Sequence, residues 1–304
     1  MDRFEAMRTL LAAVDGGSLS AASRTLNSPL PTVSRRVSDL EAHLGAQLVV
    51  RTSRKLLLTE AGEAYVGAAR RLLEDLADAE RAASGEYRVP RGELLVTAPI
   101  MFGKLHVAPV VHAFLAAYPD VTVRLVLSDS TIDIVESHVD VAIRIGALPD
   151  SELIAKQLGN IRWGLYASPD YIARRGVPAD IDSLENHDCI AFEGLQVRRT
   201  WNLNVGADSR TVPIHPRFSV NTADAIIDAA TAGLGIARVM SYQAELSVSD
   251  GRLVPVLQHI GYVPVPVNAV HRRQRSLPLK QRAFLDFVAP RLKAALDRIE
   301  RQFG

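Results

Sequence analysis

The chain contains a single cysteine, Cys189, among its 304 residues. One thiol cannot form an internal disulfide or a multi-cysteine zinc site, and it suits a reducing compartment. We interpret it as a small buried hydrophobic side chain. An excess of one charge is also missing, because 35 basic residues against 34 acidic ones leave a net charge of +1. Any basic surface for nucleic acid must therefore be local.

Membrane signals are missing as well. Residues 1–5 are charged and amphipathic, unlike the start of a signal peptide. No apolar run approaches the ~20 residues that span a bilayer. Hydrophobic residues make up 48% of the chain and charged residues 23%, which is typical of a globular protein, and the length allows two or three domains. We expect a cytoplasmic protein with no membrane partner.

Catalytic motifs are equally scarce. The chain has no Gly-x-Ser-x-Gly elbow, no phosphate-binding loop and no His-Glu-x-x-His zinc motif. His106 and His112 are six residues apart on one predicted helix, so they do not share a face. Gly233-Leu234-Gly235 follows a predicted helix and precedes a strand, the reverse of a dinucleotide fingerprint, and is interpreted as a helix C-cap. The sequence therefore predicts neither an enzyme nor a metal site, and no cofactor.

The first 58 residues carry the pattern of a helix-turn-helix with a wing. Apolar residues at helical spacing predict a helix that ends at Gly16, a second helix over 19–26 and a third over 31–44. Ser18 suits the N-cap of the second helix, and residues 48–58 have the pattern of a two-stranded wing. A helix-turn-helix buries one face of its recognition helix and presents the other to the major groove of DNA.

Basic residues are concentrated in this segment. Between Ser18 and Leu58, six basic residues against two acidic ones give a local net charge of +4. Lysine and arginine neutralise phosphates, and arginine in the major groove can hold guanine with two hydrogen bonds. A lone arginine on a helix is more often only solvated, so the prediction depends on the cluster. The predicted DNA-contacting residues are Ser18, Thr32, Ser34, Arg35, Arg36, Arg51, Arg54 and Lys55.

A long helix is predicted from Thr59 to about residue 86, ~40 Å in length. Its apolar residues recur with spacings of 4, 3, 4, 3 and 4, which is the seam of a coiled coil. A second copy of the helix would cover this seam, and packing against the chain's own N-terminal domain is the alternative. The predicted dimerisation residues are Tyr65, Ala69, Leu72, Leu76, Ala79 and Ala83.

Beyond residue 89 the pattern alternates between strands and helices, which predicts parallel sheets with helical crossovers. The first set of elements is predicted over 94–97, 102–117, 121–127, 131–137 and 139–145. A second set runs from about 162 to 262, and a strand at 267–271 and a helix at 279–302 then follow. We therefore predict two α/β lobes joined by two crossing strands, with lobe I over 89–161 and 265–304 and lobe II over 162–264.

Two such lobes bind ligands in the cleft at the carboxyl ends of their strands, where helix N-termini favour anions. The predicted effector-binding residues are Thr97, Pro99, Ile100, Met101, Ser128, Asp129, Arg144, Ser168, Asn221 and Thr222. Two alternatives stay open, because Arg144 could form an internal salt bridge and Asn221-Thr222 could simply cap a helix.

Several segments together resemble the LysR-type transcriptional regulators, namely residues 17–27, 32–37, 40–45, 51–52 and 58–62. The resemblance is specific over the first ~65 residues and extends to the architecture of the whole chain. It implies an α/β multidomain fold with a winged helix-turn-helix domain (1–58), a dimerising linker helix (59–88) and a two-lobed effector-binding domain (89–304) like periplasmic binding proteins. The implied partners are double-stranded promoter DNA, a small-molecule effector and further copies in a homodimer or homotetramer. RNA polymerase is a further candidate.

Two segments depart from the family pattern. Pro29-Leu30-Pro31 stands where the family usually has Ser-Gln-Pro, so Leu30 would either touch a thymine methyl group or pack internally. Residues 98–101 are apolar where the family usually has a Ser or Thr that helps to hold a carboxylate. We therefore expect a more apolar or aromatic effector, with Lys104 as a further positive charge. A constitutive DNA-binding protein is the alternative function, and an α/β binding protein or enzyme fits less well.

Overall fold

Helices and a short antiparallel sheet form the first of two units into which the chain separates, Met1–Val89 and Pro90–Gly304. A computed structural model describes residues 1–51, 56–84, 89–130, 133–134, 137–148, 152–192, 199–205, 208–258, 260, 263–274 and 277–303. The elements of the first unit are α1 (Arg3–Asp15), α2 (Leu19–Thr25), α3 (Leu30–Leu44), β1 (Val49–Arg51), β2 (Leu56–Leu58) and α4 (Glu60–Ser84).

Local chemistry sets the ends of these helices. The Ser18 hydroxyl accepts a hydrogen bond from the Ala21 amide at 3.1 Å and so caps α2. Helix α3 begins at Leu30, one residue earlier than expected, and ends at Gly45, whose φ of 64° is the left-handed conformation that glycine tolerates best. Helix α4 approaches β1 closely at Gly62, where an added Cβ would lie 2.0 Å from the Leu48 carbonyl oxygen.

The second unit contains two five-stranded sheets, each of which belongs to one lobe. The sheet of lobe I has the strand order β4-β3-β5-β14-β6, and that of lobe II has the order β11-β8-β12-β7-β13. The lobe I strands are β3 (Gly92–Ala98), β4 (Val121–Leu127), β5 (Val141–Ile145), β6 (Leu153–Ile161) and β14 (Val265–Arg272). The lobe II strands are β7 (Trp163–Ala167), β8 (Asp188–Phe192), β11 (His215–Val220), β12 (Ile236–Met240) and β13 (Val254–Val256), and a separate hairpin comprises β9 (Thr200–Val205) and β10 (Asp208–Pro213).

The expectation of purely parallel sheets is wrong. Strand β3 is parallel to β4 and β5, but β14 is antiparallel to both β5 and β6. Strands β7 and β13 of lobe II are also antiparallel to their neighbours. The sheets are mixed because one strand in each runs opposite to the strands on both sides of it, β14 in lobe I and β7 in lobe II. Both strands lie next to the points where the chain crosses between the lobes. The alternation of helix and strand along the sequence does not encode that reversal.

Helices cover these sheets. They are α5 (Ile100–Phe102), α6 (Ala108–Ala117), α7 (Pro169–Arg175), α8 (Ala223–Thr231), α9 (Ser241–Ser249) and α10 (Leu279–Phe303), with a π-helical turn at Gly103–Val107 and a 3-10 turn at Asp182–Asn186. Helices α6 and α10 meet in the lobe I core, where the Phe114 and Phe284 rings stand edge to face at 5.1 Å. The predicted helix at 131–137 falls largely outside the described residues.

One apolar stretch is longer than the sequence suggested. Ile100–Ala117 is long and apolar enough, by length and composition, to cross a membrane, which corrects the expectation that no run approached that length. Phe102, Val107, Val111 and Phe114 of this stretch are buried in the lobe I core. These contacts are those of a core helix in a globular domain.

Candidate functional site

One face of α3 packs into the N-terminal unit, and the opposite face is exposed. Val33, Val37 and Leu40 are buried, whereas Arg35 and Ser38 are exposed. At 3.6 residues per turn, the two exposed residues lie opposite the three buried ones. This arrangement is the one that a recognition helix needs, with an apolar face inside and a polar face available to the major groove.

The other predicted contacts on α3 lie at the sides of this face. Thr32 and Ser34 are half-buried. The Arg36 guanidinium lies 3.2 Å from the Glu5 carboxylate of α1, and only a third of its side chain is exposed. Arg36 is therefore directed toward α1, which the spacing of residues along α3 could not reveal.

The first turn of α3 is apolar and exposed. Leu30 is 43% exposed, and Pro29 and Pro31 on either side of it are exposed as well. The Thr32 and Val33 amides both donate to the Pro29 carbonyl, at 2.9 and 3.1 Å. Proline at the second position of the helix contributes no donor. Of the two alternatives for Leu30, the exposure favours a contact with DNA over internal packing.

The remaining predicted DNA contacts are Ser18 at the start of α2 and three basic residues of the wing. Ser18 is half-buried and its hydroxyl caps α2. Arg51 ends β1, paired with Leu56 of β2. Arg54 and Lys55 lie outside the described residues, so their contribution stays a prediction.

The predicted seam of α4 divides into two parts. Ala69 is 1% exposed and Val66 is 7% exposed, and Val66 belongs to the core cluster of the N-terminal unit. Ala69 thus packs within its own unit, which corrects its assignment to a dimer seam, and Tyr65 packs against the same cluster. Leu72 is 52% exposed. Leu76 is half-buried, and the side chains of Ala79 and Ala83 lie outside the described part of the helix.

A cavity of about 1370 Å³ lies between the two lobes. Pockets that bind small molecules typically enclose ~300–1,000 Å³ and are lined mainly by apolar groups, so this cavity has room for a drug-sized molecule. The predicted residues that line it are Pro99, Ile100, Met101, Ser128, Asp129, Arg144 and Thr222. The structure therefore brings most of the predicted rim together.

Three predicted rim residues do not line the cavity. Strand β3 continues to Ala98, so Thr97 is an interior strand residue, paired with its neighbours and fully buried. Ser168 is 3% exposed because its hydroxyl caps α7, accepting from the Tyr171 amide at 3.2 Å. Asn221 is exposed, and the cavity lining includes its neighbour Thr222 but not Asn221 itself.

Sequence reasoning missed the lobe II wall of the cavity. Arg238 lies over the Trp163 ring, with its guanidinium carbon 4.3 Å from the ring centroid, and both residues line the cavity. Phe192 and Trp201 line it as well. A signal was present for Arg238, since it is a charged residue in the otherwise apolar strand Ile236–Met240.

Charged groups occupy defined places around this cavity. The Ile100 amide donates to the Asp129 carboxylate at 3.0 Å, so Asp129 caps the first turn of α5. Lys104 of lobe I lies 3.8 Å from the Asp224 carboxylate of lobe II. Burial lowers the pKa of Arg144 from its ordinary value. Burial also raises the pKa of the Tyr242 hydroxyl, which lines the cavity from α9.

Two known protein families match this chain, one over the unit that contains α3 and the other over the unit that contains the cavity. Residues 4–63 match the family described as "Bacterial regulatory helix-turn-helix protein, lysR family", and residues 88–293 match "LysR substrate binding domain". The chain belongs to the LysR family of transcriptional regulators. It is therefore a DNA-binding regulator with an effector-binding domain, and the predicted fold class and function are confirmed, as is the prediction that it is not an enzyme.

The similarity to known transcriptional regulators covers almost the whole length of the chain. An "HTH-type transcriptional regulator" of Xanthomonas campestris is 36% identical over 95% of this chain and 85% of its own length. The structure of CrgA from Neisseria meningitidis is 32% identical, with a TM-score of 0.61, and covers 95% of this chain and 98% of its own. Full-length LysG from Corynebacterium glutamicum, solved with bound effector Arg, is 26% identical with a TM-score of 0.57, and covers 96% of this chain and 98% of its own.

The lining of this regulator's cavity is not that of a metal centre. Among the described residues, no group of three or more His, Cys, Asp or Glu side chains is placed to hold a metal ion. The cavity instead combines aromatic rings with two half-buried guanidinium groups, Arg144 and Arg238. Such a lining suits an organic molecule.

Proposed function

We propose that this LysR-type regulator reads promoter DNA with the exposed face of α3, and that Arg35 makes its main contact with a base. The observation that supports this is the geometry of α3, where Arg35 lies opposite the buried Val33, Val37 and Leu40. Leu30 lies at the entry of the same helix, exposed to an apolar group such as the methyl of thymine. Thr32 and Ser34 would assist from the sides.

Three further features complete this proposal. The wing residues Arg51, Arg54 and Lys55 would contact the DNA backbone or the minor groove, as their charge and position in the sequence suggest. The domains would lie over 1–58, 59–88 and 89–304, and the exposed part of α4 would join two copies into a homodimer, alone or within a homotetramer. The protein would act in the cytoplasm, and contact with RNA polymerase stays a prediction.

The DNA part of the proposal is tested with matched arginine variants on a promoter fragment found by genome-wide footprinting. Arg35→Ala should weaken specific binding by ~1–3 kcal/mol, the usual value of a bidentate guanine contact. Arg8→Ala is the control, because Arg8 is also exposed and lies on α1 near Glu5. Equal promoter affinity of Arg35→Ala and the unaltered protein, measured by fluorescence anisotropy at fixed salt, would exclude Arg35 as the reading residue.

We further propose that a small molecule binds in the cavity between the lobes and thereby changes promoter binding. The size of the cavity and its aromatic lining support this. The coupling must act in both directions, so promoter DNA should change the affinity for the ligand by the same factor. A thermal-shift screen of small molecules, followed by promoter titrations, tests the proposal. If no compound changed either the melting temperature or the promoter affinity, a constitutive DNA-binding protein would be the better description.

A further inference from the structure

We propose that Glu41 is a positioning residue for promoter binding, because its carboxylate fixes the wing and the start of α4 to the recognition helix α3. This inference rests on the proposed function, in which α3 reads the bases and the wing contacts the DNA backbone. It adds a route by which the direction of α4 determines how α3 and the wing meet DNA. The contacts that carry it converge on residues 47–49, the junction between α3 and β1.

Glu41 holds the start of β1 against the last turn of α3. One oxygen of its carboxylate, Oε1, accepts hydrogen bonds from the Leu48 amide at 2.8 Å and from the Val49 amide at 3.1 Å. Its backbone carbonyl also accepts from the Ala46 amide at 3.2 Å, just beyond the left-handed turn at Gly45. Hydrogen bonds to an ionised acceptor are about twice as strong as those between neutral groups. A single residue of the recognition helix therefore fixes where the chain enters the wing.

The same junction holds the start of α4. The Thr59 amide donates to the Leu48 carbonyl at 3.0 Å, and the Thr59 hydroxyl donates to the Gln47 carbonyl at 2.7 Å. That hydroxyl also accepts from the Gly62 amide at 3.0 Å, so Thr59 caps α4. Leu48 thus binds α3 through its amide and the N-cap of α4 through its carbonyl.

Close packing leaves the junction little freedom to move. Leu48 and Val49 are almost fully buried, and both belong to the core of the first unit. Gly62 is buried against them, and a Cβ added there would lie 2.0 Å from the Leu48 carbonyl oxygen, far inside van der Waals contact. A buried, hydrogen-bonded segment without space for a methyl group transmits a displacement instead of absorbing it. A rotation of α4 therefore moves the wing and α3 together.

This coupling affects both parts of the DNA interface. Arg35 lies on the exposed face of α3, and the first strand of the wing begins at Val49. The two parts bind one duplex most tightly when their separation is fixed in advance, because less conformational entropy is then lost on binding. Without Glu41, the buried Leu48 and Val49 amides would lose their acceptor. The wing would then separate from α3, and its phosphate contacts would be lost first.

The test measures promoter affinity of the full-length protein and its dependence on salt concentration. Glu41→Ala should weaken binding by ~10-fold or more, and the slope of log affinity against log salt should become smaller by ~1 to 3, because each phosphate contact contributes about 0.9 to it. Partial unfolding would reduce the active concentration without changing this slope. Glu41→Gln keeps an acceptor oxygen and should recover most of the affinity. Asp39→Ala, which removes a carboxylate from an exposed position of the same helix, is the control and should retain the slope without weaker binding.

Gly62→Ala tests the α4 side of the junction without altering any charge. The added methyl group should displace α4 from the Leu48 carbonyl, so promoter affinity and the salt slope should fall as they do in Glu41→Ala. Gly67→Ala is the control on the same helix. A Cβ at Gly67 would meet only the Arg71 guanidinium, at 3.7 Å, which is an ordinary contact. Normal promoter binding by Gly62→Ala would contradict the coupling of α4 to α3.

Amide hydrogen exchange examines the junction without DNA. The Leu48 and Val49 amides should exchange at least ~10-fold faster in Glu41→Ala than in Asp39→Ala. Unchanged exchange, or an unchanged salt slope in Glu41→Ala even with weaker binding, would overturn the inference. The proposed reading of bases is judged separately. If Arg35→Ala binds the promoter normally while Glu41→Ala lowers the slope, Glu41 keeps its positioning role and Arg35 is not the reading residue.

Discussion

The rings of Phe102 and Tyr242 meet edge to face, with their centroids 5.2 Å apart. Phe102 comes from α5 of lobe I and Tyr242 from α9 of lobe II, and Tyr242 is part of the lobe I core. A second contact between the lobes joins Tyr166 to Phe303 at 5.9 Å. The lobes are thus packed together beside the cavity. Any closure of the cleft on an effector has to preserve or repack these rings.

The His106 ring packs beside Phe102 and Tyr242, and its burial should make the stability of the protein depend on pH. Its ring lies 4.9 Å from Phe102 and 5.8 Å from Tyr242. Burial lowers the pKa of His106 from its ordinary 6.5, with a smaller opposing effect of Glu245 and a further lowering by Arg298. The unfolded chain therefore binds the proton first as the pH falls below 6.5, so the free energy of unfolding should decrease between pH 7 and pH 5.

His106→Phe should reduce this decrease by up to ~1.4 kcal/mol per pH unit. The measurement is denaturant unfolding of the full-length protein at fixed protein concentration, at pH 7 and at pH 5. His112→Gln, at an exposed position of α6, is the control and should retain the full pH dependence. An unchanged pH dependence in His106→Phe would show that other groups cause it; His187, whose pKa burial also lowers, would be examined next.

If Leu30 contacts a thymine, the affinity of the protein for promoter DNA should depend on a single methyl group. Replacing a contacted thymine by deoxyuridine removes only the methyl group and should cost the unaltered protein ~0.8 kcal/mol, about fourfold in affinity. Leu30→Ala should bind the two DNAs equally. Leu44→Ala, at an exposed leucine of the opposite end of α3, should still distinguish them. Anisotropy titrations with single thymine replacements give both values, and full discrimination by Leu30→Ala would contradict the contact.

The exposed side chain of Leu72 should lie in the surface through which two copies of this protein associate. Its side chain is half exposed on α4 in a single chain, although it is a large apolar group. Leu72→Glu should raise the dissociation constant of the dimer by at least about tenfold, because a charge would have to be buried in the contact. Ala64→Glu introduces the same charge at an exposed position of α4 outside the seam. Analytical ultracentrifugation distinguishes the two variants, and equal association of both would refute the seam at Leu72.

The thiol of Cys189 should be unreactive in the folded protein. It is fully buried, and burial raises its pKa to about 12. At pH 8 only ~1 in 10,000 thiols is then ionised, and the thiolate is the reactive form. A disulfide reagent such as Ellman's reagent should react with the native protein at least ~1,000-fold more slowly than with free cysteine, and completely after denaturation. Reaction of the native protein at the rate of a free thiol would show that Cys189 is accessible.

The fold of the DNA-binding unit could be predicted because its signals are local. Val33, Val37 and Leu40 recur at helical spacing within eight residues, and Ser18 caps a helix that starts at the next residue. Interactions of this range depend on the sequence of one segment only. The same reasoning identified the long helix α4, but it could not tell that Ala69 is buried in its own unit while Leu72 is exposed.

The sequence by itself indicated the helices of the first unit, α6, α8 and α10 of the second, strands β1–β5, β7, β12 and β14, the family and the exposed face that carries Arg35, but it gave no sign of α7 or α9. Only the tertiary structure decided that Arg36 is directed to Glu5, that Asp129 occupies the start of α5, and that Arg238 stacks on Trp163 in the wall of the cavity. The reason is physical. Each of these contacts joins residues about 30 to 75 positions apart, and only the packing of whole elements against one another brings such side chains together.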